Sequence, residues 1–213
     1  IPKPLIRING KSILINNIEK LIESNFKNIV VNAFHLSDQI ANEVSKYYPH
    51  VKVIIEEERL ETGGGLLNAI KKDLFNLERD ILLMNGDIYW TNDNYKSVDK
   101  IIKLWTPQKM DMLLCLKKKN DFFGYDGPGD FDLSNTSYDY SRLEKNKNLL
   151  YVFTGLQIIR QKIITNKKKK VFSIKELIID SLEKKKLFGY LDKNQWFHIS
   201  TYKDIEKFAE NYK

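Results

Sequence analysis

An α/β/α sandwich with a mostly parallel, mixed sheet is the fold this sequence predicts, on three observations. Strand-like and helix-like runs alternate as far as Leu116. Three consecutive glycines, Gly63-Gly64-Gly65, open a helical stretch just after a strand. The apolar run Ile81-Leu82-Leu83-Met84 ends on Asn85-Gly86-Asp87. Alternation of this kind implies right-handed βαβ units. Open sheets of that class hold ligands beyond the carboxyl ends of their strands.

The elements follow in order. Leu14, Ile18, Leu21 and Ile22 share one helical face. Asn28-Ile29-Val30-Val31-Asn32 reads as a buried strand. Leu36, Ile40, Val44 and Tyr48 give the next helical stripe, and Val51–Ile55 the next strand. The glycine-opened helix runs to about Lys72, followed by the strand at Ile81–Met84. Val98, Ile101, Ile102 and Trp105 mark a helix, and Met110–Leu116 a strand. The pattern then changes. Asn120–Asp130 is rich in Gly, Asp and Phe and reads as a loop. Asp130–Leu133, Arg142–Glu144 and Leu149–Gln157 read as strands without long helices between them, expected to add antiparallel strands at one sheet edge. Ser173-Ile174-Lys175-Glu176 is a capping box for a helix carrying Leu177, Ile178 and Leu182. Leu187–Leu191 and Gln195–Ile199 are short strands, and Thr201 caps a final helix with Ile205, Phe208, Ala209 and Tyr212 inward.

A chain of 213 residues with 42% hydrophobic content suits one domain with a substantial core. Its apolar runs are too short to span a bilayer, so a soluble protein without a membrane partner is expected. The lone Cys115 excludes an internal disulfide and suits a cytoplasmic setting. The net charge of +7 permits nucleic acid or phosphorylated substrates. No stacking or helix-reading module accompanies it, so a nucleic-acid partner is not expected.

The chemistry concentrates in a few places. Glycines cost conformational entropy, and three at a helix start exceed what packing needs, so contact between Thr62-Gly63-Gly64-Gly65 and a ligand is favoured over a tight turn. Asp87 is either a turn cap or a hard-oxygen ligand, and the glycine turn upstream favours Mg²⁺. Pro2-Lys3-Pro4 fixes an extended path around a lysine able to neutralise phosphate charge. His35, His50 and His198 show no metal-type spacing. Gly124–Phe131 suits either a plain hairpin connection or a substrate-covering loop.

The ordered set Pro2-Lys3-Pro4-Leu5, Gly10-Lys11, Val30-Val31-Asn32, Leu60-Glu61-Thr62-Gly63-Gly64-Gly65, Asn85-Gly86-Asp87, Gly129-Asp130-Phe131, Phe153-Thr154-Gly155 and Phe172-Ser173 resembles the sugar-phosphate nucleotidyltransferases. The resemblance runs over almost the whole chain and is nearest to the uridylyltransferases that act on N-acetylmuramate 1-phosphate in peptidoglycan recycling. It implies a Rossmann-like fold of the nucleotide-diphospho-sugar transferase type, with residues 1–213 as a single domain. Carried over, Lys3 would contact phosphate and Asp87 would hold Mg²⁺, with Mn²⁺ possible. Thr62, Gly63, Gly64 and Gly86 would contact the nucleoside. Gly129, Thr154 and Gly155 would line the sugar side, with Glu144 and Lys145 matched more loosely. Two departures stand out. The family begins with a strand and a glycine-rich loop carrying a basic residue, and this sequence starts just after them. Either they lie upstream or the protein lacks its main triphosphate cradle. Near the other end the family's Trp-x-Asp-x-Gly-Thr reads Trp196-Phe197-His198-Ile199-Ser200-Thr201, so His198 takes the slot of the second metal carboxylate.

The resemblance therefore implies transfer of UMP from UTP to N-acetylmuramate 1-phosphate by a cytoplasmic monomer or weak dimer. Glucose or mannose 1-phosphate as acceptor is the alternative. The absent loop and His198 also leave open a non-catalytic domain that binds nucleotide-sugars.

Overall fold

The computed structural model describes residues 2–199 except Leu77, Thr136 and Lys147, together with 204–206 and 208. A single 3₁₀ turn, Lys3–Leu5, starts on Pro2 and leads into a hairpin of β1 (Arg7–Ile8) and β2 (Lys11–Ser12). Asn9 and Gly10 form its two-residue turn with φ of 51° and 81°. The Asn-Gly pair suits that left-handed geometry. Ser12 then caps α1 (Ile13–Glu23), its hydroxyl accepting from the Ile15 N–H at 3.3 Å.

The remaining elements are β3 (Val30–Ala33), α2 (Ser37–Tyr47), β4 (Lys52–Ile55), α3 (Glu61–Lys71), β5 (Ile81–Met84), β6 (Tyr89–Trp90), α4 (Ser97–Leu104), β7 (Met112–Lys118), β8 (Phe122–Phe123), β9 (Asp132–Leu133), β10 (Ser141–Glu144), β11 (Tyr151–Ile159), α5 (Gln161–Thr165), α6 (Ile174–Glu183), β12 (Leu187–Leu191) and β13 (Trp196–Phe197). Residues 204–206 are helical and Phe208 is buried. The expected cap Thr201 and the inward positions Ala209 and Tyr212 lie outside the described residues.

The main sheet has the order β5-β11-β7-β12-β10-β9. It is mixed, as predicted. β5, β7, β12 and β9 share one direction, but only β7 and β12 pair in parallel. β9 and β10 lie at one edge, where antiparallel additions were expected. β11 does not: it runs antiparallel between β5 and β7, in the sheet interior. Eight of its nine residues are buried, so both its faces need cover, and only a central place supplies that.

Side chains along β7 alternate between two cores. Met112, Leu114 and Leu116 pack with Leu66, Leu67 and Ile70 of α3, Ile164 of α5 and Leu177 of α6. Leu113 and Cys115 pack with Val98, Ile101 and Leu104 of α4 and with Trp90 and Trp196. Helices thus cover both faces, giving three layers. β3 and β4 pair in parallel as a separate ladder against α1 and α2. Among the described residues, β3 pairs only with β4 and β5 only with β11. The two predicted ligand motifs therefore follow strands of different ladders rather than one continuous sheet edge.

Candidate active site

The polypeptide leaves β5 through Asn85-Gly86-Asp87, and three parts of the chain meet there. The Asn85 N–H donates to the Gly155 carbonyl at 3.1 Å. Gly155 sits at an irregularity in β11 with φ of 95°, and a Cβ on it would press on Asn85 and Ile88 at 2.9 Å. A Cβ on Gly86 would lie 3.6 Å from Pro4 and 3.9 Å from Leu14, so the Pro2–Leu5 turn packs against the same corner. Lys3 in that turn is exposed, and Asp87 is half-buried. Neither side chain has a hydrogen-bond or ion-pair partner among the described residues. The structure thus packs the turn that holds Lys3, and Gly155 with its neighbour Thr154, against the Asn85–Asp87 segment. The Thr154 hydroxyl is turned inward, donating to the Cys115 carbonyl at 3.0 Å. That bond fixes the irregularity rather than presenting a group to a ligand.

β6 begins two residues after Asp87 and pairs antiparallel with β13, Tyr89 opposite Phe197 and Trp90 opposite Trp196. This ladder carries His198 to the same corner. Its backbone N–H donates to Phe123 at 2.8 Å, and its exposed ring stands edge-on to Phe122 and Tyr125. Behind it, buried Lys117 donates to the Asp192 and Asn194 carbonyls at 3.3 and 2.6 Å, and burial lowers its pKa. The Asp192 carboxylate accepts from Tyr190 and the Asn194 N–H. That buried network fixes the link from β12 to β13.

The glycine turn is built differently from the sequence expectation. Gly63, Gly64 and Gly65 are buried in the first turn of α3. A Cβ on Gly63 would strike the Phe172 ring, one on Gly64 the Lys170 carbonyl, and one on Gly65 the Glu56 carboxylate and Asn32, the latter at 2.6 Å. The Gly64 N–H is committed to the Phe172 carbonyl at 3.0 Å. Close packing against Phe172 and the Lys170 backbone accounts for Gly63 and Gly64, whereas Gly65 faces only side-chain ends, so the argument that packing does not need the glycines fails for the first two. Thr62 remains exposed beside them. Glu56 accepts from the Leu60 N–H at 3.4 Å and from Asn32 at 3.3 Å, and partial burial raises its pKa.

The remaining candidates lie along β9 to β11. Gly129, at φ 88°, touches the Leu149 carbonyl so closely that no side chain fits. Asp130 accepts from the Phe153 N–H at 2.9 Å, and Asp132 from Leu149 and Leu150 at 3.1 and 3.0 Å. These carboxylates clip the loop to β11. Glu144 is exposed and accepts from Asn146, and the Lys145 ammonium lies 5.7 Å from the Phe131 ring centre. No contact joins Glu144 or Lys145 to Asp87 among the described residues. Sequence reasoning passed over Asn17 and Glu56, and named Asn32 and Asn85 within motifs without giving them a role. Asn17 was findable, as the lone amide inside the apolar stripe of α1.

Among the described residues no group of three or more His, Cys, Asp or Glu side chains could enclose a metal ion. A single carboxylate without a protein partner still fits Mg²⁺, which typically takes one or two carboxylates and completes its shell with phosphate oxygens and water. Nor is any helix of the described residues long and apolar enough to cross a membrane.

No protein-family model matches the chain. It is 25% identical over 206 residues to N-acetylmuramate alpha-1-phosphate uridylyltransferase of Caulobacter vibrioides, covering 93% of this chain and 83% of that protein. HddC from Yersinia pseudotuberculosis, solved with GMP-PN, superposes with a TM-score of 0.74 at 26% identity, over 100% of this chain and 91% of that one. UTP-bound UGPase from Acinetobacter baumannii shares the fold at 13% identity, with a TM-score of 0.73 over 100% and 86%.

Proposed function

We propose that this chain, a member of the sugar-phosphate nucleotidyltransferases, transfers UMP from UTP to N-acetylmuramate 1-phosphate. Its general activity is that of a sugar-1-phosphate nucleotidyltransferase, and the relative named for this uridylyl transfer supports the finer reading. The single observation that carries it is the corner where the Lys3 turn and Gly155 pack against Asn85-Gly86, next to a carboxylate, Asp87, that has no protein partner among the described residues.

In this reading a sugar 1-phosphate oxygen attacks the α-phosphorus of the triphosphate, and pyrophosphate leaves in line. The nucleophile is already an anion, so no general base is required. The protein must align two mutually repelling anions and stabilise the charge of the transition state. Lys3 supplies a cation at the phosphates. Asp87 would hold Mg²⁺ or Mn²⁺, which when bound neutralises phosphate charge. The nucleoside is assigned to the exposed Thr62, with the packed glycines Gly63 and Gly64 setting its position, and to Gly86. Gly129, Thr154 and Gly155 shape the sugar side, with Glu144 and Lys145 at its outer end. His198 acts on phosphate or through water, since imidazole suits Mg²⁺ poorly. The separate ladders of β3–β4 and β5 support a further part of the proposal: a strand and signature loop upstream of Ile1 would join them into one sheet. Upstream coding sequence with a Gly-x-Gly-x-x-Arg-like stretch is the check.

The test is pyrophosphate release across triphosphates and sugar 1-phosphates, glucose and mannose 1-phosphate included. UTP with N-acetylmuramate 1-phosphate should give the highest kcat/KM. Asp87→Asn should abolish turnover with circular dichroism unchanged. His198→Asp should be tolerated or improve use of Mg²⁺ over Mn²⁺. A folded Asp87→Asn variant with full activity would refute the assignment.

A further inference from the structure

Asp87 makes no hydrogen bond of its own among the described residues, so something else must fix where it stands. The contacts of its neighbours supply the answer. Gly86 lies against Leu14, the Ile88 carbonyl accepts from the Asn17 amide at 2.9 Å, and the Lys20 ammonium sits 4.3 Å from the Trp90 ring centre and 5.1 Å from that of Tyr89. Leu14, Asn17 and Lys20 recur every third residue, which places them in one row along α1. Gly86 and Asp87 lie in the turn after β5, and the chain becomes β6 at Tyr89. This row of α1 touches the segment at three points, at Gly86, at Ile88 and at the Tyr89 and Trp90 rings, with Asp87 between the first two.

We propose that Asn17 is a positioning residue for Asp87, tethering the segment that carries the carboxylate to the body of α1. The proposal rests on the reading of Asp87 given above. Asn17 is 2% exposed, and its side-chain oxygen is buried without a partner. An orphaned buried oxygen costs stability, so this amide is a poor core residue. Among the described residues the hydrogen bond to Ile88 is the one use of its polar group, and it is directed at the backbone immediately after Asp87. α1 is in turn anchored by the Ser12 cap and by Leu14, Ile15 and Ile18 in the core under β3 and β4. The tether therefore ends on a rigid element.

The test uses Asn17→Leu, which keeps the branched shape and heavy-atom count though it is bulkier, and Asn17→Ala, which suits a helix and guards against failure to fold. Ile18→Val is the control: it weakens the same helix but touches none of residues 86–90. Hydrogen exchange of the peptide spanning Asn85–Trp90 should quicken about five- to tenfold in both Asn17 variants, the worth of one hydrogen bond, and stay unchanged in the control. In pyrophosphate release with UTP and N-acetylmuramate 1-phosphate, kcat should fall about tenfold while the UTP KM stays within about twofold, as a misplaced group demands. Exchange equal to the control overturns the proposal. So does quickened exchange with an unchanged kcat. Wild-type protein that releases no pyrophosphate with any acceptor would remove the catalytic reading instead, and the exchange result would still judge the tether.

Discussion

Gln157 is fully buried in the middle of β11, opposite Leu83 and Leu114, and neither its amide nitrogen nor its amide oxygen has a partner among the described residues. Replacing it by methionine keeps an unbranched side chain and removes both orphans. Each buried unsatisfied group costs about 1–3 kcal/mol. Methionine's sulfur and methyl make it slightly larger than glutamine despite one heavy atom fewer, and fitting the new shape costs about 0.5 kcal/mol, as for near volume-conserving swaps. Taking the low end for each orphan, Gln157→Met should stabilise the protein by about 1.5 kcal/mol. For a chain of this size that raises Tm by about 3–6 °C. Urea unfolding followed by circular dichroism, with a thermal scan beside it, gives the measurement. A lower midpoint at an unchanged m-value would refute the reasoning, because it would mean that the amide is hydrogen-bonded in solution, by a buried water for instance.

Two further outcomes are expected. Gly64→Ala should destabilise by about 1–3 kcal/mol, since the new methyl meets the Lys170 backbone, whereas at Gly65 it meets only side-chain ends that can swing away, so Gly65→Ala should be near neutral, helped by about 1 kcal/mol of helix propensity; urea midpoints compare them. Burial lowers the Lys20 pKa to about 8, against 10.5 for the free side chain. The unfolded chain then binds the extra proton between those values, so stability rises with pH across that window, and Lys20→Met should flatten the rise in urea midpoints from pH 7.5 to 10.5.

Local pattern carried much of this fold. Ile81–Met84 and Leu187–Leu191 fall on the strands read from their apolar runs, because a strand bounded by turn residues leaves few alternatives. Of the segments picked out along the sequence, the Pro2–Leu5 turn packs against Gly86, and Gly155 against Asn85 and Ile88. The glycine triplet was misjudged because its packing partners, Phe172 and Lys170, come from the far half of the chain, and no local period reveals them. β11 was misplaced for a related reason: a buried run shows that both faces are covered but not by which neighbours. The capping box was half right. Ser173 accepts from the Lys175 N–H at 3.3 Å, but Glu176 pairs with Lys169 at 3.1 Å. The hairpin at Asn9-Gly10 had a readable turn signal and was passed over.

The central place of β11 has a consequence for how the protein is made. β5 and β7 are finished early in synthesis, yet each must wait for residues 151–159 before its facing edge is hydrogen-bonded. From the end of β5 the chain must add roughly 75 residues, and from the end of β7 roughly 40, before β11 is complete, so at about 5–20 per second the two apolar strands stay apart for several seconds. Pairings so distant in sequence also close slowly. A nascent chain halted before Tyr151 would expose those edges to other chains, so holdase chaperones are expected to matter most over that interval.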